Sequence, residues 1–457
     1  TLELEWDGPG FSRQPLPAAA LQTGSDLRAN LLAALLSIPG PDDAKADLLI
    51  QGIQQGIPAA IAAVPALSLD TLDATRMKAM VTELMPVIEA SAPSARTRGS
   101  LKQALVTCHE IATRTNDTEL LQKLSELDVR SIELGVVPHR MMFDQPQLVV
   151  GRGQPVEIRF ENTDAMPHNF VLVRPGALAR VGALSEATGR DRDAIERNYV
   201  PVSENVLAAG TLLQSGESEA IYFTAPQEPG VYPFVCTYPG HWRRMFGALV
   251  VVDDLTAYET SPDSYLSQHG PQPQDELLMQ RRASHAWTYD ELVADLKQLE
   301  TGRSYVAGKS LFRSASCIGC HNLGGEGQVF GPDLKELTPQ RQSVEHILRS
   351  VVEPSANIDD QYRSQTFYLD SGKVVTGMVV DQTSDYFKLV VGPLGVGELC
   401  DDTAIFVQRA EIEERVDSKQ SLMPEGLLDQ LTREEILDLL AFVLAKGDPE
   451  HALFHSP

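Results

Sequence analysis

No stretch of this 457-residue chain approaches the roughly 18 consecutive apolar side chains of a membrane span. The longest apolar runs, such as Phe246 to Val252, are of strand length, so no transmembrane segment is expected. Positive charge is scarce as well: 38 Lys and Arg face 63 Asp and Glu, a formal net charge of −25. That balance disfavours nucleic acid and anionic membrane surfaces as partners, because both would repel it. A glycine-rich nucleotide loop is missing, and so is a convergent acid–base cluster, so nothing marks a substrate site of the chain's own. Also absent are an initiator Met, a basic n-region and an apolar h-region, since the chain opens Thr1-Leu2-Glu3-Leu4. Such a start is expected of a mature or excised piece, and the compartment has to be read from other features.

What is present is an ordinary soluble composition, 43% hydrophobic and 22% charged, in a chain too long for one core. Two to four domains are expected, in a multidomain α + β fold. Residues 1–20 are Pro-rich and aperiodic and read as an extended arm. From 21 to 128 the pattern is helical, with Leu27, Leu31, Leu32 and Leu35 at helical spacing. Pro39, Pro58, Pro65, Pro86 and Pro93 are expected to cut this region into short helices. The pattern fits a small HEAT-like stack as well as it fits an irregular bundle.

From 129 to 253 the period shortens to strands such as Val156-Glu157-Ile158-Arg159-Phe160 and Phe170-Val171-Leu172-Val173, separated by turn residues. This is a β-sandwich pattern, with a helical insertion at about 176–199 laid over the sheet. Residues 254–288 are polar and turn-rich, as expected of a linker. Helices return from 289 to 447, interrupted at about 364–416 by strands expected to form a small β-barrel insertion. Thr432-Arg433-Glu434-Glu435 is a capping box that opens the last helix.

Five cysteines are present, Cys108, Cys236, Cys317, Cys320 and Cys400. Cys236-Thr237-Tyr238-Pro239-Gly240-His241-Trp242-Arg243-Arg244-Met245 puts a thiolate, an imidazole and a thioether on one short loop, and His168 precedes a strand that would lead into it. A type-1 copper needs two imidazoles, one thiolate and a weak axial ligand, usually a thioether. His168, Cys236, His241 and Met245 are therefore the expected copper ligands. The alternative, a buried Cys among unrelated histidines, is disfavoured by four suitable donors falling in order. His139, beside Met141 and Met142, reads as a surface residue, and the chain does not supply the about three further convergent histidines of a catalytic type-2 copper.

Cys317-Ile318-Gly319-Cys320-His321 has the C-x-x-C-H form in which two thiols add across the haem vinyl groups and the next His ligates the iron. A zinc half-site would want a second ligand pair, and a redox dithiol leaves His321 without a role. For the distal side, Met378, Met423 and His346 are candidates, Met being the usual soft ligand where electron transfer is wanted. Cys108 and Cys400 are expected to be buried free thiols.

The copper constellation resembles the cupredoxins, nearest to azurin, over about residues 129–253. The resemblance implies His168, Cys236 and His241 as strong ligands, Met245 as the weak axial one, and Asn169 as a brace of the ligand loop. Trp242, large for its place, is expected to cover the imidazole edge of His241. The haem stretch resembles the c-type haem domain widespread in planctomycetes and their relatives. That resemblance covers about residues 300–446 and rests on CIGCH, Gly331-Pro332-Asp333-Leu334, Asp370 to Gly377 and Ser421 to Leu428. It implies Cys317 and Cys320 as thioether attachments, His321 as proximal and Met423 as distal ligand, with the β segment inserted between the two axial ligands. It also implies maturation outside the cytoplasm, in the periplasm or an equivalent compartment.

One type-1 copper and one haem c, both coordinatively full, imply an electron carrier without its own substrate site. Redox partner proteins follow, and the acidic charge suits a basic one, although it is equally the charge of a plain solvated surface. The alternative is the electron-accepting portion or subunit of a larger oxidoreductase whose catalytic domain lies elsewhere. The N-terminal helices could then serve as a docking module.

Overall fold

The computed structural model describes residues 42–189, 191, 193–299, 301–328, 330–390 and 404–455. The arm at 1–20, the helical pattern around Leu27–Leu35 and Cys400 lie outside the described residues. The chain divides into two compact units at Arg130/Ser131.

The first unit is helical, with its main helices at Asp42–Gln54, Pro58–Ala63, Ala74–Ala90, Gly99–Thr115 and Thr118–Leu127. Apolar residues three and four apart, such as Met80, Leu84 and Ile88 or Ala104, Cys108 and Ile111, form one stripe per helix and share one core. Pro58 and Pro93 open helices at the first positions, where a missing N–H loses no bond. Pro86 does not end its helix, contrary to expectation, but sits inside Ala74–Ala90. The turns on either side bury Leu84, Met85 and Ile88, which offsets the roughly 3 kcal/mol that an interior proline costs. Cys108 is a free, buried thiol.

The second unit begins with two facing sheets. Arg130–Leu134, Pro155–Glu161 and Ser218–Thr224 form one; Gln147–Gly151, Phe246–Val252, Gly230–Val235, Val171–Val173 and Val206–Ala209, in that order, form the other. Between them Phe143 packs against Phe160, Phe170 and Phe234 with ring centroids 5.8, 6.4 and 5.0 Å away. The helix Leu178–Thr188 lies over the outer face, where Leu178 and Val181 pack with Val171, Val235 and Phe246.

Further along, helices Tyr305–Ser314, Val344–Val352 and Arg433–Leu444 enclose Phe312, Leu348, Ile436, Leu440 and Phe442. A Cβ on Gly308 would stand 2.4 Å from the Asp438 carbonyl, so the first and last of these helices can approach only at a glycine. Among the described residues the β insertion does not close into a barrel. Its five described strands form an open antiparallel sheet in the order Ile405–Gln408, Tyr386–Val390, Val374–Gln382, Ser364–Leu369, Ile412–Asp417, whose two edge strands do not pair. Five short strands over one small core, chiefly Phe367, Phe387 and Leu389, bury enough apolar surface on one face without closing.

Residues 254–288 carry three short helices, Leu255–Thr260, Pro262–His269 and Glu276–Met279. Buried Asp275 accepts the N–H groups of Gly176 and Leu178 at 2.8 and 2.9 Å, capping the helix over the sandwich. Ten residues on, His285 donates its N–H to the Asp429 carbonyl at 2.8 Å, and the Trp287 indole reaches the Leu431 carbonyl at 3.1 Å. The segment is thus pinned to the sandwich at one end and to the haem-motif helices at the other. Among the described residues no helix is long and apolar enough to cross a membrane.

Candidate metal centres

Strand register builds the first centre. Phe246 pairs with Val235, so the hairpin between them brings Cys236 opposite Met245, whose carbonyl accepts the Cys236 N–H at 2.9 Å. Val171 also pairs with Val235, which sets the preceding His168 and Asn169 beside Cys236 and Thr237. His168 is held by a reciprocal pair of backbone bonds with Leu213, at 3.1 and 2.9 Å. The fully buried Asn169 braces the loop as expected: its carbonyl accepts the Thr237 N–H at 2.8 Å and its amide donates to Thr237 Oγ1 at 2.9 Å. Asn169→Ala would leave that buried N–H unpaired. A loss of about 1–3 kcal/mol in a thermal or denaturant melt is expected, with faster copper loss to a chelator.

Cys236 Sγ lies 3.9 Å from His168 Nδ1 and 3.6 Å from His241 Nδ1, and the two imidazole nitrogens are 3.2 Å apart. All three side chains are buried, and Met245, fully buried, adjoins them in the core. Burial pushes the Cys236 thiol up to about 12 and holds His241 well below the ordinary imidazole range. Two imidazoles and a thiol, all buried and converging on one point, are satisfied by a cation that takes the thiol's proton away, not by one another. The donor set fits copper.

Trp242 does not cover His241. Its ring lies 2.3 Å from where a Gly182 Cβ would be, wedged under the Leu178–Thr188 helix with Arg243 stacked on it at 4.2 Å. A large flat ring gains more buried area in that slot than over a small imidazole. Tyr238, with its centroid 4.9 Å from that of His241, takes the neighbouring place, and every residue from Val231 to Trp242 is buried.

The second centre is a cavity of about 250 Å³ walled by Cys317, Cys320 and His321 and closed by an apolar lining that includes Phe312, Leu439 and Leu440. The turn Cys317–Gly319 follows the helix Tyr305–Ser314, and the His321 N–H returns to the Cys317 carbonyl at 2.9 Å, so both thiols and the imidazole face one side. His321 Nδ1–H donates to the Pro332 carbonyl at 2.8 Å, which leaves Nε2 free for a metal. Gly331 is required here: a Cβ would stand 2.6 Å from the His321 ring. Desolvation draws His321 below its ordinary pKa, keeping it a neutral ligand. Met378, Met423 and His346 all line the same cavity, so its walls alone do not choose among the three distal candidates. Thiols, imidazole, soft distal donors and an apolar slot fit a covalently held haem.

A family model for copper binding proteins of the plastocyanin/azurin family matches residues 130–252, and one for cytochrome c matches residues 305–369. Auracyanin-A of Chloroflexus aurantiacus is 36% identical over 121 residues, which span 26% of this chain and 74% of the relative. The chain belongs to the plastocyanin/azurin family of copper-binding proteins. Solved relatives include the dithionite-reduced auracyanin of Roseiflexus castenholzii, 34% identical over 26% of this chain and 95% of that one, with a TM-score of 0.24. The blue copper protein auracyanin A of Chloroflexus aurantiacus is 35% identical over 27% and 99%, with a TM-score of 0.25. The cupredoxin domain carries a copper site and the cytochrome c domain a covalently bound haem, and the two together make an electron-transfer protein.

The two sites adjoin. A Cβ on Gly319, inside the haem motif, would lie 3.1 Å from Gly240 Cα, inside the copper loop. Arg244 of that loop donates to the carbonyls of Leu427 and Gly426 at 2.9 and 2.7 Å, and Arg140 pairs with Asp429 at 2.9 Å. Glu425 donates its N–H to the His139 carbonyl at 2.7 Å. Arg244, Gly319 and Asp429 carried no signal in the sequence, because what each touches is more than seventy residues away.

Proposed function

We propose that the protein passes single electrons between its copper and its haem inside one rigid unit, outside the cytoplasm. His168, Cys236, His241 and Met245 hold the copper; Cys317 and Cys320 hold the haem, with His321 and Met423 on its iron. The observation that carries this reading is the backbone contact of Gly319 with Gly240, which joins the haem-attachment turn to the copper loop without an intervening side chain. Each metal supplies a one-electron couple; the chain's part is to fix the two sites, keep water from the buried loop and prevent substrate access. The net charge of −25 favours a basic protein as external partner, with exchange that weakens as salt rises.

The test is anaerobic reduction of the haem by one short pulse, followed at the haem and copper absorption bands. Haem reoxidation should mirror copper bleaching, at a rate independent of protein concentration, and the phase should vanish in Cys236→Ser. A rate proportional to concentration would show that the centres communicate only between molecules.

A further inference from the structure

Asp164 is 1% exposed, four residues before His168, and no role has yet been given to it. His168 Nε2–H donates to its Oδ2 at 3.1 Å, on the side of the ring away from Cys236 and His241. The other oxygen accepts the N–H groups of His139 at 3.1 Å and Ala165 at 2.7 Å. Asn162 reinforces the turn: its Oδ1 accepts the Asp164 N–H at 3.0 Å, and its amide donates to the Met166 and Leu213 carbonyls at 2.8 and 2.9 Å. A full negative charge is therefore locked behind a copper-facing imidazole, in a core with little dielectric to screen it. His139, the next titratable neighbour, places Nδ1 3.7 Å from the same carboxylate and is itself partly exposed.

We propose that Asp164 is a positioning residue for the copper that also lowers its reduction potential: it holds the His168 proton on Nε2, so that Nδ1 faces the metal, and its charge favours the oxidised ion over the reduced one. This rests on the copper reading above. The couple remains one electron, with no bond made or broken. An isosteric amide can still accept from His168 through its oxygen, although its NH2 then faces the His139 and Ala165 N–H groups, and it removes the field, which at this separation inside a protein is strong enough to move the equilibrium tenfold or more. The His139 carbonyl, which accepts from Glu425, ties the same turn to the 421–428 loop, so Asp164 also anchors the point where the copper side meets the haem side.

The test is a spectroelectrochemical titration of the copper- and haem-loaded protein, reading both midpoints in one sample. In Asp164→Asn the copper(I)/copper(II) ratio at fixed potential should rise about tenfold or more, a shift of at least about 59 mV for a one-electron couple, with the haem midpoint unmoved. Asp164→Glu, which keeps the charge, should stay near the parent value. An Asn variant at the parent midpoint, or Asn and Glu shifted alike, overturns the proposal. Should the variants fail to load copper, the parent protein still decides the tautomer: a slowly exchanging His168 Nε2–H resonance is expected in the reduced form, and its absence overturns the assignment. A parent protein without a blue copper spectrum would instead defeat the copper reading, whatever Asp164 does.

Discussion

Arg244→Ala is expected to uncouple the copper side of the molecule from the haem side. Arg244 lies in the ligand loop between His241 and Met245, and its guanidinium makes the two hydrogen bonds that reach the Gly426 and Leu427 carbonyls. Burial draws its pKa below the ordinary arginine value, while the nearby Asp429 opposes that shift. Hydrogen bonds from a charged donor contribute about 1.5–3 kcal/mol each, and removing this side chain leaves the Leu427 carbonyl without this partner and the Gly426 carbonyl with the Asp429 N–H. A loss of about 3–5 kcal/mol is expected, seen as copper and haem absorption melting in two transitions where the parent shows one. The concentration-independent electron transfer should slow in parallel. Arg244→Lys should rescue little, because one ammonium on a flexible stem does not reproduce a fork spanning two adjacent carbonyls. Unchanged melting and transfer would mean that the Arg140–Asp429 pair and the Gly319–Gly240 contact suffice.

Met423→Ala is expected to open the haem iron. Met423 stands in the loop 421–428, held by its N–H to Ser421 Oγ at 3.1 Å and followed by a buried proline. Loss of a thioether axial ligand should let carbon monoxide bind the reduced haem rapidly and cyanide the oxidised one. The midpoint should fall by on the order of 0.1 V, within the roughly 0.8 V range that axial ligands command. The control is Met378→Ala. Met378 is anchored in the middle of the insertion sheet, paired with Ser364 on one side and Val390 on the other, and its truncation should cost stability without opening the iron. If Met378→Ala admits carbon monoxide and Met423→Ala does not, the distal ligand lies on the sheet.

Much of both sites could be read in the chain because their chemistry is local. Cys236, His241 and Met245 fall within ten residues, and Cys317, Cys320 and His321 within five, so residue type and spacing already state the donor set. The Thr432 capping box and the change of period near residue 129 are local signals too, and both have direct structural counterparts. Pro86 misled because a proline marks a helix boundary only where tertiary packing does not outweigh it. Trp242 misled because the slot under the Leu178–Thr188 helix depends on Gly182, sixty residues away. The barrel expected of the insertion failed for a related reason: strand-forming residues announce strands, while closure depends on how the two edges meet.

Asp164 was within reach, a carboxylate four residues before a ligand histidine, yet in an extended loop that spacing has no fixed geometry. The Asn162 hydrogen bonds supply it. Residue order alone pointed to one copper and one covalently held haem, and to the His168, Cys236 and His241 group, because covalent attachment and ligand softness are properties of side chains. How the two centres stand to each other was a matter for the folded chain. The polar stretch 254–288 has a linker's composition, but Asp275, His285 and Trp287 pin it down by bonds to residues far off in sequence, and Gly319 meets Gly240 only because neither has a side chain in the way.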